Sequence, residues 1–165
     1  MQDDVAADLL TSVLDGSLGL DALLTDRFVR DLHRRLYGDI WRWGGALRRQ
    51  QTNLGIAPHQ IVGELRASIE TIAYRWRHTD DWAPHDLGIA VHAEIVRIHP
   101  FIEGNGRSTR LLADLVFVAA QDAEPIFLYD WRLERHRYVT LLREYDRHRD
   151  PTDLATFVGT QTLGG

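Results

Sequence analysis

Two long apolar stretches of helical spacing, joined by residues too rich in glycine and proline to continue either, limit what this chain can fold into. The first, His85 to Ile98, sets Ile89, Ala93 and Val96 on one stripe. Ala90 and Ile95 beside them leave little polar surface. Pro100 stops it. The second, Gly104 to Gln121, carries Leu111, Leu112, Leu115, Val116, Val118 and Ala119. It is apolar enough to be the central helix of a bundle.

The rest of the chain supplies helices to surround that pair. Asp21 to Tyr37 has helical spacing through Leu24, Phe28, Leu32 and Leu36, and Thr25 offers an alternative cap for a later start. Tyr37 to Gly45 packs two tryptophans and three glycines into a tight turn. Arg48 to Ile56 reads as a short hairpin or extended flap, with Asn53 and Gly55 supplying its turn. Pro58 opens a helix with Ile61, Leu65, Ile69 and Ile72 on one stripe. Arg132 to His148 is a charged helix, and Asp153 to Thr160 a last short one. The predicted class is all-α, in one domain over 21–160. An N-terminal segment of 1–20 and a tail of 161–165 flank it.

Composition removes whole classes of chemistry. Cysteine is absent, and all 19 basic residues are arginine. Thiol nucleophiles, cysteine-zinc sites and Schiff-base, Walker-type or kinase lysines are excluded. A chain like this handles phosphate with arginine, backbone amides or a metal. The net charge of -5 argues against a general nucleic-acid coat. No cationic leader and no long apolar run are present, so a cytoplasmic protein without a membrane partner is expected.

The chemistry concentrates in His99-Pro100-Phe101-Ile102-Glu103-Gly104-Asn105-Gly106-Arg107-Ser108-Thr109-Arg110. This is a loop opening a helix. Gly104 and Gly106 permit close backbone approach to a ligand, and the free amides at a helix start form an anion site. Arg107 and Arg110 place two cations beside it. Glu103 precedes the nest, where a carboxylate next to bound phosphates makes sense chiefly as a magnesium ligand. His99 has a pKa suited to taking a proton near neutrality. Taken singly, each has a plain structural reading: a helix-terminal histidine, a Gly-Asn-Gly turn, two surface arginines. Their order at one loop-to-helix junction favours the chemical reading.

The segment resembles the signature of the Fic family, HPFx[D/E]GNGRxxR, at every specified position. The likeness extends from about Asp21 to Phe157, through Leu32–Gly45, Asn53–Ile56 and Arg137–Leu142. It implies a helical bundle with a small β-hairpin flap beside the active loop. It also implies transfer of AMP from ATP to a Ser, Thr or Tyr hydroxyl of a target protein. In that scheme His99 is the general base and Phe101 anchors the loop. Glu103 holds Mg2+, Gly104, Asn105 and Gly106 form the anion hole, and Arg107 and Arg110 meet the β- and γ-phosphates. The target lies along the flap at Gln51, Thr52, Asn53 and Leu54, by strand addition. Alternatives are another nucleotide or phosphate donor, or an ATP-binding module without transfer.

Many relatives carry an inhibitory helix bearing [S/T]xxxE[G/N], in the same chain or in a partner. The nearest match here is Thr11 to Gly16, with Asp15 in place of glutamate and one methylene shorter. The expectation leans to an antitoxin-like inhibitory partner. A homodimer stays open, and no nucleic-acid partner is expected. His92 reads as a packed or hydrogen-bonded histidine rather than a zinc ligand.

Overall fold

The computed structural model describes residues 2–164. Its elements run α1 (Gln2–Leu14), α2 (Leu20–Leu23), α3 (Asp26–Tyr37), a 3-10 turn (Pro58–Gln60), α4 (Ile61–His78), α5 (Pro84–Ile98) and α6 (Asn105–Ala120). Then come β1 (Phe127–Tyr129), α7 (Arg135–His148), α8 (Thr152–Phe157) and β2 (Thr160–Thr162). The expected all-helical bundle with one small sheet is present.

The centre is a pair of helices rather than one. α5 is buried on nearly every side, from Leu87 through Ile98, because α4, α6, α7 and α8 all pack on it. α6 buries Leu112, Leu115 and Val116 against it and receives α1, α2 and α3 on its other face. α1 belongs to this core: Leu9 and Val13 are buried in it. Residues 2–20 are therefore packed with the domain rather than set apart from it.

Helix starts follow local chemistry. The Thr25 side chain accepts from the Phe28 amide at 3.1 Å, so α3 begins at Asp26 and the residues before it form the separate α2. The Asp86 carboxylate accepts from the Ala83 amide at 2.9 Å, fixing the start of α5 behind Pro84. Glu134 accepts from the His136 and Arg137 amides, so α7 starts at Arg135 rather than Arg132.

The strands lie where no strand was expected. β1 and β2 pair antiparallel, Phe127 with Thr162, Leu128 with Gln161 and Tyr129 with Thr160. A boundary between 160 and 161 therefore cuts through β2, and α8 ends at Phe157. The Arg48–Ile56 segment holds no strand and is an extended flap rather than a hairpin. Its backbone turns to the loop after α5 instead of to itself. The Arg48 amide donates to the Pro100 carbonyl at 2.9 Å, and the Ile56 amide to the Ile98 carbonyl at 3.3 Å. Met1 and Gly165, at the ends of the expected N-terminal segment and tail, lie outside the described residues.

Candidate active site

The site is built on the residues that join α5 to α6. His99 closes α5 in the left-handed region, φ 53° and ψ 64°, a conformation a histidine adopts only at a cost of about 1 kcal/mol. That posture turns the ring out of the helix and into the loop. Asn105 then closes the loop on itself. Its Oδ1 accepts from the Phe101 amide at 2.9 Å, and its Nδ2 donates to the Phe101 carbonyl at 2.7 Å. The same Nδ2 faces His99 Nε2 at 3.2 Å. Because Nδ2 is a donor, Nε2 is the ring nitrogen without a proton. Burial, then the Arg48 guanidinium, hold the His99 pKa below its ordinary 6.5, so the ring is neutral at pH 7.

An aromatic ledge supports the loop from below. Phe101 is fully buried and stacks on His33 with ring centroids 3.8 Å apart. Tyr37, Trp41 and Trp43 continue the stack at 4.6 and 4.3 Å, the dense turn that Tyr37–Gly45 predicted. His33 is the bolt. Its Nδ1 accepts from the Gly45 amide at 2.9 Å, so its Nε2 carries the proton and donates to the Glu103 carbonyl at 2.8 Å. Burial pushes its pKa down, which keeps this neutral tautomer. Gly104, φ +80°, caps α6 at a place where a Cβ would run into the Tyr37 ring. The α6 start is thereby pressed against the ledge.

Arg48 fastens the flap to this loop. Its side chain is buried and has no carboxylate partner among the described residues. Four carbonyls solvate it instead. Nε donates to His99 O at 2.6 Å, Nη1 to Gln50 O at 3.0 Å, and Nη2 to Ile56 O at 2.6 Å and Ile98 O at 3.2 Å. Gly55, φ +93°, lies so close that a Cβ there would stand 2.6 Å from the His99 Cβ. The expected target-docking residues Gln51, Asn53 and Leu54 are exposed on the outer side of this clamp, with Thr52 half-buried. Leu54 is among the most exposed large apolar residues, as is Ile102 on the loop.

The charged groups gather at the start of α6. By helix geometry the amides of Asn105, Gly106 and Arg107 have no intrahelical acceptor. They open as an anion nest. The Asn105 side chain is consumed by the loop, so only its amide is available to a ligand. Arg107 is exposed, and Arg110, one turn on, is half-buried. Both stand near the Tyr37 hydroxyl, where they oppose the rise that burial causes in its pKa. Glu103 is exposed, and its carboxylate has no hydrogen bond or ion pair to another described residue. A single free oxygen ligand beside a phosphate nest suits magnesium, which keeps most of its shell as water and phosphate.

The acid that reaches the motif is Asp3, not Asp15. Asp3, in the first turn of α1, pairs with Arg107 at 3.1 Å. Asp15 lies beyond the other end of α1, where its carboxylate accepts from the Ser17 amide at 2.8 Å. The Thr11–Gly16 segment is thus a helix terminus, with Gly16 at φ +82°.

Behind Arg110 lies a buried polar layer. His92 is fully buried, with Nε2 hydrogen-bonded to the Tyr138 hydroxyl, so it is the packed, hydrogen-bonded histidine that the sequence suggests. Burial, then the Arg110 charge, push its pKa down to about 3. Asp114 accepts from the Tyr129 amide and from Trp131 Nε1, and burial pushes its carboxyl up to about 6.

Sequence reasoning found the loop but missed Arg48 and His33. His33 shares the buried face of α3 with Val29, Leu32 and Leu36, a stripe the spacing contains. Nothing local separates Arg48 from Arg49.

A histidine at the head of a glycine-bearing, doubly cationic loop between two central helices defines a class of phosphate-handling helical domains. The model of the Fic/DOC family matches residues 23–117, more than half of the chain, and the chain belongs to that family. A protein adenylyltransferase Fic from Drosophila ananassae is 29% identical over 143 residues, 84% of this chain and 29% of the relative. The chain thus spans under a third of the curated relatives' length. A Fic-domain-containing signaling protein from Bacteroides thetaiotaomicron superposes with a TM-score of 0.68 at 19% identity, covering 94% of this chain and 60% of that one. The N-terminal Fic domain of a Bartonella quintana cell filamentation protein with bound ADP gives 0.67 at 15%, covering 98% and 85%. These similarities extend the shared fold across nearly the whole chain.

Proposed function

We propose that this Fic domain is a protein adenylyltransferase, moving AMP from ATP to a Ser, Thr or Tyr hydroxyl of a target protein. The observation that carries it is one loop holding an unprotonated His99 Nε2 beside an amide nest flanked by Arg107 and Arg110. The acceptor hydroxyl oxygen attacks the α-phosphorus while His99 Nε2 takes its proton. The bond from that phosphorus to the oxygen bridging the α- and β-phosphates breaks, and pyrophosphate leaves. Such a displacement needs positioning and charge neutralisation more than covalent help. The amides of Gly104, Asn105 and Gly106 and the two guanidiniums supply both. Glu103 would hold Mg2+, which neutralises phosphate charge when bound.

The reading carries two further parts. One is a separate inhibitory partner, the antitoxin of a toxin–antitoxin pair, whose carboxylate engages Arg110. That guanidinium has no ion pair among the described residues. The other is a cytoplasmic setting. No helix among the described residues is long and apolar enough to cross a membrane. The test is label transfer from α-labelled ATP with magnesium to proteins of a cell lysate. Labelled bands that vanish with His99→Ala support the reading. Label arriving from γ-labelled ATP instead refutes it.

A further inference from the structure

Two cavities flank the strand of chain that leads into the flap, and both are basic. One, of about 460 Å³, is walled by Arg42, Trp43, Arg49, Gln50 and the loop residue Ile102. The other, of about 480 Å³, is walled by Arg30, His59 and Val62. They share Ala46, Leu47, Arg48 and Arg49, so they adjoin along residues 46–49 as one basic, grooved face. Among the described residues no aspartate or glutamate lines either cavity. Glu103, next to Ile102 in sequence, is not part of the wall.

Arg48 in this wall is consumed by its four carbonyls, but the outer charges of the groove are not committed to a carboxylate among the described residues. Arg42 and Arg49 are exposed, and neither forms an ion pair among the described residues. Among the described residues Arg30 has only the Gly45 carbonyl as a hydrogen-bond partner, at 3.2 Å. Other surface arginines are paired, as Arg34 with Asp31, Arg75 with Asp81 and Arg77 with Asp21, whereas Arg35, Arg135, Arg137, Arg143 and Arg147, like Arg42 and Arg49, have no ion pair among the described residues. What marks the groove is that its unpaired arginines line one cavity wall with no acid in it. A patch of one sign on a chain of net charge -5 is a local departure from the whole. Between the arginines stand the exposed apolar side chains of Ile102 and Val62.

We propose that this groove receives an extended, acidic segment of the acceptor protein, its Asp or Glu side chains meeting Arg42, Arg49 and Arg30 and its apolar side chains meeting Ile102 and Val62. This deepens the adenylyltransferase reading and rests on it for the identity of the partner as acceptor. Gln50 and Ile102 make the groove continuous with the flap and the catalytic loop, so a segment seated there leads its hydroxyl toward His99. A protein segment fits better than a nucleic acid. Trp43 spends its face on Trp41 at 4.3 Å rather than offering a free stacking platform.

The test is direct binding, independent of transfer. Fluorescence anisotropy compares the full chain with three labelled probes: an extended Thr/Glu peptide, its Thr/Lys counterpart and a single-stranded oligonucleotide. The Glu peptide is expected to bind at least about tenfold tighter than the Lys peptide at low salt. That advantage shrinks at high salt. The double variant R42E/R49E is expected to lose about tenfold for the Glu peptide while keeping its ATP affinity. Should its ATP affinity fall as well, R42Q/R49Q replaces it, with the same loss expected in smaller measure. Equal binding of the two peptides, or binding unchanged in the variants, overturns the proposal. So does an oligonucleotide that binds tighter than the Glu peptide and is lost in the same variants. Intact Glu-peptide binding without any AMP transfer refutes the adenylyltransferase reading and leaves the groove standing.

Discussion

Arg48→Met removes the side chain that, among the described residues, ties the flap to the catalytic loop. The guanidinium gives four hydrogen bonds to carbonyls, and two of these, at Ile98 and His99, belong to the end of α5 itself. Each carbonyl left without a donor costs about 1–3 kcal/mol, and release of a buried charge offsets part of that. The net loss is about 3 kcal/mol. In a domain of this size about 1 kcal/mol moves Tm by about 2–4 °C, so the variant should melt about 6–12 °C lower. Activity should fall further than stability suggests. With its carbonyl released, His99 no longer holds its left-handed posture, and a misplaced base costs on the order of 100-fold in kcat. The pH profile separates geometry from charge. Burial and then the Arg48 charge depress the His99 pKa, so losing that charge moves the acid limb of the rate upward, toward 6.5. Arg48→Lys keeps the charge while losing the fork, so its limb should stay nearer the wild-type position as kcat falls. Differential scanning calorimetry and the pH dependence of single-turnover transfer provide the readouts. A methionine variant that melts with the wild type and keeps both kcat and the acid limb refutes the clamp.

Three further outcomes follow from the same geometry. Gly55→Ala places a Cβ 2.6 Å from the His99 Cβ and 2.7 Å from the Ile98 carbonyl, so the flap must lift; kcat should fall at least about tenfold with ATP affinity within about twofold, by stopped-flow and calorimetry. Asp3→Ala frees Arg107 from its exposed pair, and ATP should bind about two- to fivefold tighter at low salt, with the gain vanishing at high salt. His92 takes a proton near 6.5 when unfolded but only near 3 when folded, so it stabilises the fold above 6.5 and loses that contribution as pH falls toward 3. The slope is about 1.4 kcal/mol per pH unit. Asp114, raised from 3.8 to about 6, acts with the opposite sign: its contribution is full below 3.8 and is lost as pH rises through 6. Urea unfolding between pH 7.5 and 4 should therefore show His92→Gln losing less stability on acidification than wild type.

The loop was legible because its chemistry is contiguous: His99 through Arg110 carries base, nest and both cations in one run. The central helices were legible because α5 and α6 bury most of their circumference, so their apolar content is unbroken. Of the two readings of the flap, the hairpin fails although Asn53 and Gly55 promise a turn, and the extended flap stands. Its amides instead find carbonyls 42 or more positions away, at Ile98 and Pro100, and no local pattern encodes that pairing. The β1–β2 pair was missed for the same reason. Its three-residue strands lie more than 30 positions apart, with β2 polar throughout. Arg48 reads like Arg49 in sequence, and only the fold buries one and exposes the other.

The most direct measurement is intact-mass analysis of an acceptor protein alongside pyrophosphate release, for wild type and His99→Ala. The account predicts one adenosine monophosphate added per pyrophosphate released, and neither with His99→Ala, which still binds ATP. A phosphate-sized adduct, pyrophosphate without adduct, or undiminished transfer by His99→Ala would contradict it.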